Sequence, residues 1–504
     1  LGMSSLGFQK LWGLFAAHPD FSCERVFLEE EGGAGELLRS LETHTPLREF
    51  DLVAFSLSFE HDYLNMVRML RLGGIPPLRS ERTHSQPLVL AGGVAPSCNP
   101  EPLAPIADLV VLGEGEGVPE ELAAALQEGD LRRTGEKPSL RLAMVPGFYL
   151  PAGYLCEYDR DGVLRRLEPK GGFPPLLSRR YLSDLDASPT RSLVLTDRAE
   201  LAHLFLLEAG RGGEAGLPPA PLRHRSTASL LEEVRLGLRF RHRVGLVGEA
   251  SSLHPDLLPL AEQVRAGGGA LSLTHLPLSV LTEDLVARLG EGALEGASLP
   301  VGGATERLRR LAGAGVSDEA VEEAVEVLLR GGVTEIRMSF LIGLPTEDRE
   351  EVDGIHQLVR ALKRRMARAR RAGGPQAALT LEIRTFVPRP SGPLAREAFE
   401  ELESLKGKLR HLKALLGREQ WVRASFDLPK WAYIQCLLAR GDRRVGELLV
   451  EVDRLGGDWR AACARKNLNP DYYVSRRWEE GDLLPWAHVA AEPSPISLAG
   501  SPLP

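Results

Sequence analysis

The chain has 504 residues, of which 43% are hydrophobic, and a formal net charge of −8 at pH 7, so we expect about two to four domains, each with its own core. Its lysines and arginines are interleaved with acidic residues, which excludes a domain-wide basic surface for nucleic acid. No segment approaches the ~20 apolar residues of a membrane span and no signal peptide is visible, so we expect a cytoplasmic protein with neither a membrane nor nucleic acid as a partner.

Residues 1–150 alternate short apolar runs with amphipathic helical stretches. Strands are expected at 50–58, 87–93 and 107–117, and helices at 61–74 and 118–127. Strand and helix in alternation at this spacing predict a parallel, doubly wound sheet. The chain begins with a leucine in what reads as the interior of a domain, which predicts that the natural amino terminus is missing.

Two of these predicted strands end in glycine turns, AGG at 91–93 and GEGEG at 113–117. Ligands of such sheets bind just beyond the carboxyl ends of the strands, where small residues let a large ligand approach the backbone. Glycines are equally typical of plain tight turns. From the sequence, both interpretations of the two turns stay open.

The segment 151–190 is rich in proline and glycine, and its polar strand pattern at 154–169 predicts a connecting hairpin. The α/β alternation returns at 191 and predicts a full or partial barrel of parallel strands, with function on the loops after the strands. Strands are expected at 191–196, 203–210, 244–250, 270–278, 296–301 and 335–345, and helices at 226–238, 256–267, 282–290, 305–311 and 318–332, with a further one capped by Thr346.

The cysteines and histidines show no local metal-binding pattern. The five cysteines are scattered without disulfide or metal-ligand spacing, so we expect buried small side chains, namely Cys23, Cys98, Cys156, Cys436 and Cys463. The histidines form no HxH or HExxH pair, which argues against a locally assembled zinc site.

The stretch EAGRGGEAGLPPA at 208–220, called here the 208–220 loop, lies between an apolar run and a basic helical stretch. Its glycines suit either a phosphate cradle or a loop that has lost the residues it was built to hold. A phosphate cradle is disfavoured because the loop lacks the lysine of a Walker-type motif and because Pro218 and Pro219 remove backbone donors.

Two adjacent stretches, GGATERLRRLAGAGVSDEAVEEAVEVLLRGG at 302–332 and VTEIRMSFLIGLPTEDREEV at 333–352, resemble the second half of the barrel of radical S-adenosylmethionine (radical SAM) proteins, with their G-S-E-R-L-R and I-G-L-P-x-E segments. The stretch 88–116 is similar to the cobalamin-binding domain that precedes the barrel in one branch of this superfamily. The stretches 439–457 and 481–489 resemble the carboxyl-terminal region of an uncharacterised group in that branch.

The resemblance covers nearly the whole chain and implies its domain organisation. It predicts a Rossmann-type, cobalamin-binding-like domain at 1–150, a linker or hairpin at 151–190 and a partial TIM-type (β/α) radical SAM barrel at 191–394. A mostly helical region follows at 395–490, and the low-complexity segment 491–504 is expected to be a disordered tail. The cofactors that the family implies are SAM, cobalamin and a 4Fe-4S cluster.

In this superfamily the loop after the first barrel strand reads roughly E-x-x-R-G-C-x-x-x-C-x-x-C. The chain keeps the E-x-x-R-G part at 208–212, but the three cysteine positions hold Gly213, Leu217 and Ala220. The family's three thiolates hold the cluster and leave its fourth iron open for the amino and carboxylate groups of SAM. None of the three substituted side chains can ligate iron, so we expect a degenerate site without a metal.

The resemblance also assigns candidate cofactor contacts, each of which has a plain structural interpretation as a turn or a surface charge. The SAM contacts are Gly248, Glu249, Ser298, Thr305, Glu306, Arg307, Arg337, Gly343, Leu344 and Pro345. The cobalamin contacts are Ser56, Gly92, Gly93, Gly113 and Gly115. The D-x-H-x-x-G motif that carries the cobalt-ligating histidine is absent, and His18, His44 and His61 are expected at surface or packing positions.

Three functional hypotheses follow. The leading one is a pseudoenzyme without catalytic residues that serves as a binding or regulatory partner of an active radical SAM relative or of another protein. The second is an enzyme that recruits distant cysteines such as Cys98 and Cys156, or that uses SAM without radicals in polar methyl transfer. The third is a scaffold whose helical region, with Trp478 and Trp486, forms a protein interface.

Overall fold

The structure is a computed structural model that describes residues 2–28, 37–127, 140–198, 201–213, 220–273, 276–289, 296–371, 377–419 and 421–498. Parallel strands joined by helices dominate both halves of the chain, so the predicted α/β class is confirmed. No helix in these ranges is long and apolar enough to cross a membrane.

The amino-terminal region contains one four-stranded sheet. Its strands are β1 (Leu52–Ser56), β2 (Leu88–Gly92), β3 (Leu109–Val111) and β4 (Phe148–Tyr149), and its helices are α1 (Leu6–Ala17), α2 (Asp62–Leu72), α3 (Val94–Cys98), α4 (Val118–Gln127) and α5 (Leu140–Ala143). The order is β1-β2-β3-β4, with β4 antiparallel to β3 and the other pairs parallel. Strand β3 is buried at all three residues, as expected for a sheet covered on both faces.

The linker contains the predicted antiparallel hairpin, formed by β5 (Tyr154–Tyr158) and β6 (Leu164–Pro169). It continues into β7 (Arg180–Leu182), which pairs in parallel with β17 (Ser494–Ile496). The prediction that the tail is disordered is therefore wrong for 494–496. Backbone hydrogen bonds to the linker hold this strand, and its side chains show no hydrophobic pattern from which the strand could be predicted. Residues 499–504 lie outside the described residues.

The second half forms the expected partial barrel. Its main strands are β8 (Leu204–Leu207), β11 (Arg243–Leu246), β12 (Ala270–Leu273), β13 (Gly296–Gly303), β14 (Glu335–Ile342), β15 (Ala378–Thr385) and β16 (Val422–Phe426). They form two parallel sheets, ordered β12-β11-β8 and β13-β14-β15-β16. The helices are α6 (Thr227–Gly237), α7 (Glu249–Ser252), α8 (Leu257–Ala266), α9 (Glu283–Leu289), α10 (Glu306–Leu311), α11 (Asp318–Arg330) and α12 (Asp353–Arg371).

Helix α11 shows why the sequence pattern was informative in the barrel. Ser317 caps its start by accepting a hydrogen bond from the backbone N–H of Ala320 at 3.1 Å. Its buried residues recur at helical spacing and face the sheet, namely Val321, Ala324, Val325, Leu328 and Leu329. The helix ends at Arg330, where Gly331 and Gly332 follow, two residues before the predicted end.

Two local predictions in the barrel are wrong. Residues 191–196 form no strand beyond an isolated bridge between Arg191 and Leu207, because the N–H groups of Leu193 and Val194 donate to the Gln9 side chain of α1 instead of to a strand. Thr346 does not cap a helix: its φ is +63°, and α12 begins only at Asp353. Both errors have the same cause. Side chains far along the chain form hydrogen bonds with these residues, whereas a local sequence pattern assumes that the partners are near in sequence.

The carboxyl-terminal region begins with a strand of the barrel sheet and is helical after it. Strand β16 pairs in parallel with β15, so the sheet extends beyond the predicted boundary at 394. The helices are α13 (Leu402–Leu416), α14 (Pro429–Arg440), α15 (Arg443–Arg454), α16 (Trp459–Lys466) and α17 (Asp471–Val474). Trp478 and Trp486 are only 3% and 8% exposed and lie 6.3 Å apart, so they are core side chains and not interface anchors.

The turn after β3 supplies a test of the packing between the linker and the amino-terminal sheet. Gly113 has φ of +100°, and a Cβ added there would lie 2.1 Å from the backbone oxygen of Arg180. Gly313 has a similar φ of +88° but nothing within 4 Å of its Cβ position. We expect Gly313→Ala to cost about 1–2 kcal/mol from backbone strain alone, and Gly113→Ala to cost clearly more because the bridge to β7 must open. Urea unfolding midpoints measure the difference, and equal shifts would contradict it.

Candidate functional site

The 208–220 loop leaves the end of β8 and returns as a short ribbon. Strand β9 (Gly210–Arg211) pairs antiparallel with β10 (Arg223–His224). The backbone N–H of Gly213 donates to the carbonyl of Ala220 at 3.2 Å. The first and third of the expected cysteine positions therefore face each other across the base of the loop, while the second, Leu217, lies outside the described residues.

The described residues do not fit an iron–sulfur cluster. Gly213 and Ala220 carry no ligating atom, and no group of three or more His, Cys, Asp or Glu side chains in the described part of the chain is arranged to hold a metal ion. The cysteines are dispersed: Cys98 lies near Ser391 (Sγ to Oγ 3.0 Å), and Cys156 lies near Glu101 (Sγ to Oε2 3.7 Å). Burial raises the pKa of both thiols, which disfavours the thiolate that a metal requires.

Arg211, from the E-x-x-R-G part of the loop, is the centre of a buried ion-pair network. Its guanidinium donates to Glu208 at 2.7 Å, to Glu114 at 3.0 Å, to Glu116 at 2.9 Å and to the Thr190 hydroxyl at 2.9 Å. Glu114 and Glu116 belong to the GEGEG turn after β3. The network therefore joins the first barrel loop directly to the amino-terminal sheet.

Two further arginines of the β10 side complete this network. Arg223 donates to Glu114 at 2.7 Å and to the backbone oxygen of Leu182. Arg225 has no exposed side-chain surface and donates to Glu208 and Thr190 and to backbone oxygens of the linker. The loop, the linker and the GEGEG turn are thus held together by charged groups whose donors are satisfied.

The charge of each group in this network depends on its neighbours. Burial by itself raises the pKa of Glu116, but Arg211, through charge and hydrogen bonding, and Lys10 together lower it below the usual value. Burial lowers the pKa of Lys10 to about 8. Lys10 donates to Ser188 Oγ at 2.5 Å and to the carbonyl of Pro189 at 2.8 Å, so helix α1 also joins the site.

The turn after β11 lies against the start of the 208–220 loop. Gly248, with φ of +90°, precedes α7, which begins at Glu249. Ser251 Oγ accepts hydrogen bonds from the backbone N–H groups of Ala209 and Gly210 at 2.9 and 3.3 Å. The structure therefore brings the predicted contacts Gly248 and Glu249 next to the 208–220 loop.

The predicted contacts at 305–307 and 343–345 form a second group, which is held by its own ion pairs. Arg307 donates to Glu351 and to Thr346, and Thr305 Oγ1 donates to Glu351 at 3.2 Å. Glu306 instead accepts from the N–H of Asp318 at 2.9 Å. Thr305, Glu306 and Arg307 thus each have a hydrogen-bond partner within the protein.

The GLP turn is held in the same manner. Glu347 accepts from the N–H groups of Gly343 and Leu344, and the buried Lys408 lies 3.2 Å from Glu347 Oε1. Pro345 follows in the same turn. Within the described residues, no hydrogen bond joins this group to Gly248 or Glu249.

Ser298 and Arg337 lie elsewhere. They are direct partners in the register of β13 and β14, and each is the third residue of its strand. Both side chains are exposed. At ~3.3 Å per residue, Arg337 is about 20 Å from Gly343 along the strand, so these two predicted contacts are not at the carboxyl ends of the strands with the others.

The predicted cobalamin contacts cluster at the carboxyl ends of β1, β2 and β3. Ser56 is the register partner of Gly92, and Ser97 Oγ links Gly93 to Gly113 by hydrogen bonds of 2.6 and 2.8 Å. The Cβ positions of Gly93, Gly113 and Gly115 are filled by atoms of Leu57, Arg180 and Leu11. The chain's own atoms therefore take the space that these three glycines create, and this does not fit a close approach by a ligand.

The histidines that were expected at surface or packing positions do lie at such positions where the structure describes them. His44 is exposed, and the ring of His61 lies 6.0 Å from that of Trp431.

Sequence reasoning missed the roles of Glu114, Glu116 and Arg223. The signal available was the alternation of acids and glycines in GEGEG, because two carboxylates at a strand end need cationic partners if they become buried.

The fold and the ion-pair network define a class of α/β protein. An amino-terminal domain with a mostly parallel sheet is joined to a partial parallel barrel by ion pairs between the GEGEG turn after β3 and the loop after the first barrel strand. Family models match both parts, "Radical SAM proteins, N-terminal" at residues 7–151 and "Radical SAM superfamily" at 216–359, together more than half of the chain. The chain belongs to the radical SAM superfamily.

Similar proteins extend over most of the chain. An uncharacterized protein of Methanocaldococcus jannaschii is 22% identical over 419 residues, which are 81% of this chain and 82% of that protein. Two structures of the radical SAM methyltransferase TsrM from Kitasatospora setae are also similar. The one with cobalamin and a [4Fe-4S] cluster is 15% identical, covers 83% of this chain and 89% of TsrM, and has a TM-score of 0.45. The one with tryptophan and a SAM analog is 17% identical, covers 66% and 62%, and scores 0.42.

Arg211 offers a direct test of the network. Replacing it by glutamine leaves Glu114, Glu116 and Glu208 with less compensation, so we expect a loss of about 3–5 kcal/mol in the free energy of unfolding. The matched control is Arg288→Gln, because Arg288 also bridges two carboxylates but is exposed, and its unfolding midpoint should change little.

The pH dependence of that loss follows from Glu116. Its folded pKa lies below the ordinary value, so in the native protein its stabilisation is complete at neutral pH and is lost as the pH falls through the folded pKa. Without Arg211, only Lys10 opposes the effect of burial on Glu116, so that pKa should rise. The cost of Arg211→Gln should therefore be largest at neutral pH and shrink as the pH falls, first through the raised pKa of Glu116 in the variant and then through its lower pKa in the native protein. A cost that is constant or grows on acidification would show that Glu116 is not the group concerned.

Proposed function

We propose that this radical SAM protein is a pseudoenzyme: it keeps the architecture of the superfamily, holds no 4Fe-4S cluster and does not cleave SAM. It would act in the cytoplasm as a binding or regulatory partner of an active relative or of another protein. The observation that carries the proposal is the set of residues at the three cluster positions, Gly213, Leu217 and Ala220. Reductive cleavage in this superfamily needs a cluster with an open iron.

The surroundings of the loop support this proposal. A side chain at position 213 would adopt φ of +76°, a backbone conformation that costs an L residue about 1–2 kcal/mol. Arg211 and Arg223 fasten both sides of the loop to Glu114. Such a network holds the two described ends of the loop in place without a metal, which favours a structural or binding role over decay.

Retained cofactor binding is a second part of the proposal. Gly248 and Glu249 lie half-buried beside the 208–220 loop, where the family handles SAM, so we propose that weak SAM binding persists there. Cobalamin binding has less support, because the chain's own atoms fill the space next to the glycines of the amino-terminal sheet.

Anaerobic reconstitution with iron and sulfide tests the loss of the cluster. The wild-type chain should take up no stoichiometric iron, whereas the triple variant Gly213→Cys/Leu217→Cys/Ala220→Cys should gain a 4Fe-4S absorption band and four irons per chain. The matched control carries serine at the same three positions, which keeps the side-chain size and removes the thiolates. A stoichiometric cluster in the wild-type chain would overturn the proposal, and circular dichroism confirms that each variant is folded.

A further inference from the structure

The four-stranded barrel sheet has one buried face and one open face. On the buried face lie fully covered apolar side chains that pack with α11 and α12, namely Leu299, Val301, Ile336, Met338, Leu379 and Leu381. The alternate residues of the same strands are exposed or half-buried and mostly polar. All strand pairs of this sheet are parallel.

An open polar face is unusual for such a sheet. All-parallel sheets are normally covered on both faces, and the inside of a complete parallel barrel is filled by bulky branched side chains. Here the residues of the open face are small, polar or charged apart from Leu341, so they do not form a core. An uncovered polar face of this kind suits a polar ligand.

The strand register places four of these polar residues in one row. Ser298 pairs with Arg337, Arg337 with Thr380, and Thr380 with Arg423. Neighbouring strands lie ~4.8 Å apart, so the backbones at Arg337 and Arg423 are about 10 Å apart, with Thr380 between them. Two arginine side chains at that separation can converge on one anion above the Thr380 hydroxyl.

The charges on this face differ in whether they are paired. Arg384, nearer the carboxyl ends of the strands, donates to Glu382 at 2.6 Å. Arg337 and Arg423 form no ion pair with any described residue, and this includes Glu335, which lies on the same face two residues before Arg337. Two guanidinium groups that flank a hydroxyl therefore form a local positive site that no described residue neutralises through an ion pair.

We propose that the row Ser298, Arg337, Thr380 and Arg423 binds a small molecule through a carboxylate or phosphate group. The site lies in the amino-terminal half of the strands, about 20 Å along β14 from the GLP turn, and is distinct from the loops at the carboxyl ends. It does not depend on SAM or on a cluster, so it stands or falls separately from the proposed pseudoenzyme function.

Calorimetric titration of the full chain with inorganic phosphate and with citrate tests the site and distinguishes the two anion classes. In the double variant Arg337→Gln/Arg423→Gln, binding of the preferred probe should weaken at least about ten-fold. The matched control Arg364→Gln/Arg368→Gln removes the same charge from the exposed side of α12 and should change binding less than about two-fold. Wild-type binding should also weaken with added salt.

Peptide mapping with phenylglyoxal, which modifies accessible arginines, supplies a second readout. Either probe, when bound, should protect Arg337 and Arg423 but not Arg368. Failure of both probes to bind the wild-type chain, equal binding by the double variant, or a concentration-dependent dimer that alone protects these arginines would each overturn the proposal. SAM titration of the single variant Arg423→Gln, which changes none of the predicted SAM contacts, should show no change, which keeps this result separate from the test of the proposed function.

Discussion

The buried guanidinium of Arg211 is the group on which the arrangement of the two halves depends. It has acceptors on the barrel loop, on the linker and on the turn after β3. A buried charge is tolerated only where its hydrogen bonds are satisfied, so these three segments can meet in one relative position only. Contacts of the same kind attach the carboxyl-terminal helical region to the amino-terminal region. Glu101 accepts a hydrogen bond from Arg443 (Oε2 to Nε 2.8 Å), and the Asn99 side chain donates to the backbone oxygens of Ala439 and Gly441.

Such networks specify position more than they add stability. The cost of removing several charges from water offsets most of their attraction, while a wrong register leaves charges unpaired and costs far more. In this chain the parts that are fixed in this way are the segments around the 208–220 loop. On the open face of the β13–β16 sheet, by contrast, Arg337 and Arg423 form no ion pair with any described residue.

Helices and strands could be predicted from the sequence wherever the segment itself contains the residues that determine its structure. Helix α4 at 118–127 matches the predicted bounds, and α11 agrees to within two residues, because caps and apolar spacing are local. The prediction was wrong at 191–196, at Thr346, in the tail and for β16, because each depends on a partner far along the chain, such as Gln9 for 191–196. In the site, the structure places Gly248 and Glu249 beside the 208–220 loop, and their contact with SAM stays a prediction. The roles of Glu114 and Glu116 could not be predicted, because they depend on the three-dimensional proximity of Arg211.

The pairing of β17 with β7 bears on how the chain matures. The hydrogen bond from Arg179 to Ala491 closes a loop of 312 residues, and contacts of such separation form late. During synthesis, the amino-terminal sheet and most of the barrel emerge and fold as units before residue 496 exists. The linker strand β7 therefore keeps an unpaired edge until residues 494–496 have been synthesised, and in that interval this edge is open to pairing with another chain.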